Sequence, residues 1–219
     1  MKEIVILDLD GVIVNGQSQQ IFLKYLFKKK IVGLFFYIKI NLWFLFYKMG
    51  LVRDPQNIMD YSFSFLKGKT VGEISILIDD FFNDNLKKFI FSEMIGIIKE
   101  HKIKNREIII ASNAVDIIVK KIANFLNIDN YIATKLEIKD EKFTGNILGE
   151  IVYGKSKPKL VKEFVEINNL SLENSWAYTD HISDLDLLLL SSNPYAVNPD
   201  KLLLKEAKKR KLAILILKE

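Results

Sequence analysis

Residues 4–7, Ile-Val-Ile-Leu, form an unbroken aliphatic run that stops at two carboxylates, Asp8 and Asp10, spaced i and i+2 with Gly11 behind them. Such a run predicts a strand buried on both faces of a parallel sheet, with its carboxyl end at a crevice. The pattern recurs. Glu107-Ile-Ile-Ile-Ala-Ser112 ends in a hydroxyl and is followed by Asn113, and Ser175-Trp-Ala-Tyr-Thr179 ends at Asp180, with Asp184 one turn further on. Tyr131 to Gly145 predicts a short strand, a turn at 139–142 and a returning strand, while Pro194 to Val197 and Leu212 to Leu217 predict two more, the last at an edge.

Between the first two runs the period changes. Residues 17–30 carry apolar positions at helical spacing with Ser18 as the cap, and 56–67, 70–82 and 85–99 read as three further helices, the first stopped by Gly68. No strand pattern interrupts residues 17–100. A wholly helical block between a first strand and its neighbour is easiest to account for as an insertion. Helices also follow Ser112 (Val115, Ile118, Val119, Ile122 and Phe125 inward) and Pro158 (Leu160, Val161, Phe164, Val165 and Ile167 inward). Another starts at Asn198-Pro199-Asp200, with Pro199 at its first helical position. The expected architecture is α/β: a parallel-sheet core from residues 1–14 and 100–219, and a helical domain over 15–99.

Residues 31–52 are the least ordinary stretch, with seven aromatic residues among aliphatic ones. Lys39, Asn41 and Lys48 interrupt it, and each lysine at a bilayer centre costs about 3 kcal/mol. Packed core of the helical domain, a membrane-facing or dimer surface, and a true span all remain open; Arg53-Asp54-Pro55 ends the segment.

Composition narrows the class. At 219 residues, 49% hydrophobic and 27% charged, the chain can bury a normal core; it has no cysteine and two histidines, so neither a thiolate metal site nor a histidine-rich zinc centre is expected. The charged start Met1-Lys2-Glu3 is unlike a secretory leader, so the expected setting is cytoplasmic, with or without membrane association. The net charge of +5 comes mostly from scattered lysines. Without a basic stripe, and with buried acids left unexplained, no nucleic-acid partner is expected.

Taken singly, each motif has a plain structural account: an Asx turn after the first strand, Ser112 and Asn113 as helix caps, and Lys155 or Lys157 as solvated charge. Together they do not. Asp8, Asp10, Asp180 and Asp184 gathered at one crevice would repel one another unless a cation sat among them.

Asp8-Leu-Asp10-Gly-Val12, Ser112, Lys155 and Asp180-x-x-x-Asp184 resemble, in order, the four motifs of the haloacid dehalogenase-like (HAD) hydrolases. Tyr178-Thr-Asp-His-Ile-Ser-Asp-Leu185 is similar to the fourth motif of the phosphoserine phosphatase-like branch. The resemblance implies a Rossmann-like core with an inserted helical cap and a Mg²⁺-dependent phosphomonoester hydrolase. Asp8 would be the nucleophile and Asp10 the acid-base residue. Ser112, Asn113 and Lys155 would hold the phosphate, with Lys157 as the fallback lysine. The metal would belong to Asp8, Asp10 (through its carbonyl), Asp180 and Asp184. His181 is left at the mouth and Asp186 without a chemical duty.

The chain departs from phosphoserine phosphatases where Gln17 and Ser62 fall at the places of a substrate-binding acid and arginine, which disfavours phosphoserine. The expected partner is a small phosphomonoester, lipid-like or otherwise apolar, with peripheral membrane contact or dimerisation through residues 31–52. A phosphotransferase using the same intermediate and a non-catalytic membrane-associated binding protein are the rival readings.

Overall fold

The structure, a computed structural model, describes residues 2–48 and 56–218. The expected stop at Arg53-Asp54-Pro55 lies outside the described residues.

Among the described residues seven strands form one sheet: β1 (Lys2–Leu7), β2 (Glu107–Val115), β3 (Asn130–Lys139), β4 (Lys142–Leu148), β5 (Leu170–Thr179), β6 (Asn193–Val197) and β7 (Ala213–Leu215). Their order is β4-β3-β2-β1-β5-β6-β7. All pairs are parallel except β3 with β4, which meet in a hairpin. Its turn residues Asp140 and Glu141 both have positive φ, 48° and 59°, the backbone that matches a two-residue hairpin to strand twist.

Period-two alternation divides the core. Ile4 and Ile6 of β1 face one layer and Val5 and Leu7 the other, so an uninterrupted apolar run serves both faces. On the Ile4 side lie α7 (Ser156–Ile167), α8 (Leu185–Leu188) and α9 (Lys201–Arg210). On the other lie α6 (Asp116–Leu126), the inserted helices α1 (Ser18–Lys28), α2 (Leu34–Lys48), α3 (Gln56–Phe63) and α4 (Val71–Asp84), and, after the insert, α5 (Ser92–Ile103).

The single helix expected over 85–99 is broken. A 3₁₀ turn at Leu86–Phe89 is followed by extended backbone at Ile90 and Phe91 before α5 begins. The cause is tertiary: Asn15 N–H donates to the Phe89 carbonyl and Phe91 N–H to that of Ile13, so the two linkers between insert and core run antiparallel, side by side. After the second linker, α5 packs on β2. The insert has a second attachment, since Gly68 N–H donates to the Phe143 carbonyl and Ile147 N–H to the Asp60 carboxylate, tying it to the β3–β4 hairpin.

Two helix starts also differ from expectation. Helix α9 begins at Lys201, two residues after the expected first helical position at Pro199, and Asp200 caps it by accepting from Leu203 N–H. Ser18 is the first residue of α1 and not its cap; its N–H is taken by the Asp10 carboxylate.

At the opposite end of the sheet a buried imidazole fastens α5. Arg106 donates from Nη1 to His101 Nδ1 (3.1 Å) and from Nε to Glu3 (2.8 Å), while its guanidinium lies over Trp176. Arginine can only donate, so His101 carries its proton on Nε2 and gives it to the Tyr178 hydroxyl, 2.9 Å away. Burial, then the charge of Arg106, lowers the His101 pKa to about 4. Between pH 6.5 and 4 the unfolded chain therefore binds the proton and the folded chain does not, so stability falls as pH drops through that window. Urea midpoints at pH 7 and pH 5 are expected to differ more for the wild type than for His101→Gln.

Candidate active site

The register sets the ends of three strands level. Leu7 of β1 pairs with Ile110 of β2 on one side and Tyr178 of β5 on the other. Asp8 and Asp10 therefore emerge within a residue or two of Ser112 and Asp180, at the carboxyl edge where the strand order reverses about β1.

After Leu7 the chain curls. Ile13 and Val14 N–H both donate to the Leu9 carbonyl and Gly11 N–H to that of Val14, which brings both acids of the i, i+2 pair onto one cavity. Gly11 adopts φ +75°, and a Cβ there would fall 2.1 Å from Asp180 Oδ2. Glycine is required for the turn and for the approach of the third acid.

Asp8 is 6% exposed and Lys157 2%. The Lys157 ammonium stands 2.7 Å from Asp184 Oδ2 and 3.2 Å from Asp8 Oδ2. Burial disfavours that ammonium, but Asp8 and Asp184 outweigh it and raise the lysine above its ordinary range. Burial likewise pushes the Asp8 carboxyl well up, against the pull of Lys157 and with help from Asp184 and Asp180. Asp10 rises to about 6, again by burial, moderated by the Ser18 N–H. Asp180 rises to about 7 by burial and the neighbouring Asp10 and Asp184.

These residues meet in one cavity with Asn113 and His181 at its side. His181 Nε2 lies 3.2 Å from Asp200, as a mouth residue. Two expected phosphate ligands are placed otherwise. Lys155 is exposed, beside a separate surface depression with Lys159 and Lys162. Ser112 is fully buried behind Asn113, its Oγ accepting from Ala114 N–H. The correction from Lys155 to Lys157 is helical geometry: Lys157 shares its face with the buried Val161 and Val165, at i+4 and i+8, whereas Lys155 precedes the helix and points away. That register was readable in the sequence as a lysine in line with an apolar stripe.

Gln17, which the resemblance sets at the place of a substrate-binding acid, does line the cavity. The remaining lining was not expected: Gln19 and Gln20 come from the start of α1, Phe44 from α2, Ile58 and Met59 from α3, and Ile151 and Tyr153 from the loop before α7. Nothing in their local sequence marks them, because the insert's packing brings them over the acids. Ser62 opens instead onto a small apolar cleft between α1, α2 and α3.

The donor set suits a hard divalent cation. Asp10 Oδ2 and Asp184 Oδ1 are buried without a partner, and the neighbouring acids raise the pKa of Asp8 and of Asp180. A four-carboxylate cage is not what the chain builds, since Asp10 Oδ1 is engaged by Ser18 and Asp184 Oδ2 by Lys157. Among the described residues no three histidine or acidic side chains form a ready-made metal cage. Two carboxylates, a carbonyl and waters make a Mg²⁺ site without one.

A strand-end pair of acids, a buried lysine and a second acidic loop, on this sheet order, define a phosphate-handling α/β hydrolase. The sequence profile of the haloacid dehalogenase-like hydrolases matches residues 5–189, and the chain belongs to that family. It is 28% identical to a probable phosphatase of Mycobacterium tuberculosis over 205 residues, covering 93% of this chain and 71% of that one. It is 26% identical to a histidinol-phosphatase of Neisseria meningitidis, covering 96% of each. In fold it resembles a Bordetella pertussis protein of unknown function (TM-score 0.89, 18% identity, 98% and 99% coverage). It also resembles a phosphoserine phosphatase captured as a phospho-aspartyl intermediate analogue (TM-score 0.69, 21% identity, 100% and 94% coverage).

Two substitutions test the geometry. Lys157→Met is expected to lower turnover about 10²–10³-fold, the usual effect of losing one preorganised charge donor, while Lys155→Met stays near wild type. Gly11→Ala is expected to cost most of the activity with circular dichroism unchanged, because the added methyl displaces Asp180 and not the core.

Proposed function

We propose that this chain is a Mg²⁺-dependent phosphomonoester hydrolase working through an aspartyl-phosphate. The observation that carries the reading is Lys157, buried between Asp8 and Asp184 with Asp10 held beside them by Ser18 N–H. An Asp8 oxygen attacks phosphorus, and the bond to the leaving oxygen breaks as that oxygen takes a proton from Asp10. Asp10 then removes a proton from water, which attacks the phosphorus of the acyl phosphate and frees inorganic phosphate and the Asp8 carboxylate. An Asp10 pKa near 6 suits a group that gives and then takes a proton.

Lys157 balances charge on the phosphoryl oxygens, with Asn113 at the cavity wall as a donor to them; Ser112, buried behind it, holds the turn through the Ala114 N–H. Asp8, the Asp10 carbonyl and Asp180 would hold Mg²⁺, with Asp184 orienting its water; the ion supplies charge neutralisation where phosphate meets carboxylate. The helical block of residues 15–99 would serve as the cap over a core of residues 1–14 and 100–219, with α5 as the part that stays against β2.

The cavity above the acids supports an apolar substrate. Away from the acids and Lys157 its described lining is three glutamine amides, Asn113, Tyr153, His181 and Ser183, beside the apolar Phe44, Ile58, Met59 and Ile151. Among the described residues the insert brings no acidic or basic side chain to it, so a zwitterionic amino-acid phosphate would lose hydration there without a charge-paired replacement.

Release of inorganic phosphate from a panel of phosphomonoesters tests this. The expected result is Mg²⁺-dependent hydrolysis without added alcohol, higher kcat/KM for alkyl or acyl-bearing phosphates than for phosphoserine, and no turnover by Asp8→Asn. Turnover retained by Asp8→Asn would overturn the assigned nucleophile.

A further inference from the structure

Helix α2 is apolar all the way round, yet only one of its sides is covered. Phe36, Tyr37, Ile40 and Phe44 pack into the core. Leu34, Phe35, Ile38, Leu42, Leu45 and Phe46 are exposed, Leu34 by 59% and Phe35 by 78%. At 3.6 residues per turn these six fall within an arc of about 120° that contains no polar residue. Lys39 and Asn41 stand at its two borders. Single exposed leucines are ordinary, but a continuous arc along a whole helix marks a contact surface.

Charge selects what covers it. From Gly11 to Arg53 the chain has no acidic residue, and it has seven basic ones: Lys24, Lys28, Lys29, Lys30, Lys39, Lys48 and Arg53. A second copy of this chain would bring the same positive segment against itself. An anionic surface would be complementary. Among the described residues no helix is long and apolar enough to cross a membrane.

We propose that α2 docks in the plane of an anionic bilayer, with its outer arc sunk to the headgroup–acyl boundary and Lys28 and Lys30 on the lipid phosphates, Lys29 being paired with Asp84 (3.1 Å). Lys39, at the border, keeps its ammonium 3.9 Å from the Tyr61 ring and its stem along the apolar side. The inner side of the same helix contributes Phe44 to the catalytic cavity, so docking sets that cavity beside the membrane. The inference goes beyond the hydrolase reading, since it concerns where the protein works and not which bond it breaks.

Co-sedimentation of the full chain with phosphatidylcholine vesicles, with and without phosphatidylglycerol, tests it. Binding is expected only with phosphatidylglycerol and is expected to fall as salt rises. Phe35→Glu with Leu42→Glu is expected to weaken partitioning at least about tenfold, with circular dichroism and hydrolysis of p-nitrophenyl phosphate unchanged in the absence of vesicles. Lys28→Glu with Lys30→Glu is expected to reduce vesicle binding with the apolar arc intact. No sedimentation, or equal binding to neutral vesicles, overturns the proposal. So does a wild-type dimer, measured by light scattering, that the Phe35/Leu42 variant splits, because the arc would then be a self-interface. A folded chain inactive on every phosphomonoester would sink the hydrolase reading and leave docking to be judged by sedimentation alone.

Discussion

The arrangement depends on one buried cation. Asp8, Asp10, Asp180 and Asp184 come from chain segments more than 160 residues apart and meet at the carboxyl edge of a sheet, where burial makes Asp8, Asp10 and Asp180 costly to ionise. Lys157 makes the gathering tolerable by standing within ion-pair distance of two of them. An ion pair so deeply buried contributes little net stability, because desolvation offsets most of the attraction. Its use is positional: it fixes which oxygens of Asp8 and Asp184 are engaged and leaves an Asp184 oxygen, like one of Asp10, without a protein partner. Those orphaned oxygens are the signature of a site shaped for something the polypeptide does not itself supply.

The sheet brings these groups together and the insert decides what they meet. Parallel strands deliver every acid at the same edge, and β1 sits between β2 and β5, stretches that both come more than 90 residues later in the chain. The insert leaves through residue 13 and returns at residue 91 along a paired two-strand neck. The first turn of α1 is bound to Asp10 through the Ser18 N–H, so the proposed proton carrier also anchors the start of the insert. On that reading chemistry and insert would be coupled through one carboxylate.

What lies over the acids differs in kind from the acids themselves. The acids and Lys157 gather charge in one part of the cavity, while the insert brings amides and hydrocarbon to it. On the proposed reading the first would take the phosphoryl group and the second the rest of the substrate. Helix α2 belongs to both sides of this division, since Phe44 lines the cavity while Phe35 and its neighbours meet solvent. The tension between a helix that is apolar on every side and a fold that covers only one of them is what an interfacial contact would relieve.

The sequence by itself determined the strand cores, the acids at their ends, the hairpin turn at 139–142, the all-helical character of the insert and the family resemblance. These are local or short-period properties: an aliphatic run buried on both faces, a carboxylate with no apolar reason to follow it, a two-residue turn. Tertiary structure decided the rest. It chose Lys157 over Lys155, because only packing of α7 on the sheet shows which side of that helix faces the acids. It broke the helix expected over 85–99, since Ile90 and Phe91 pair with the linker at 13–15, a partner some 75 residues away that no periodicity encodes. It placed Asp10 on Ser18 N–H, where the sequence offered Ser18 as its own cap. It also covered one side of α2 and left the other bare: a stretch apolar in every direction carries no moment to say which side turns inward, and only the neighbours that reach it can choose.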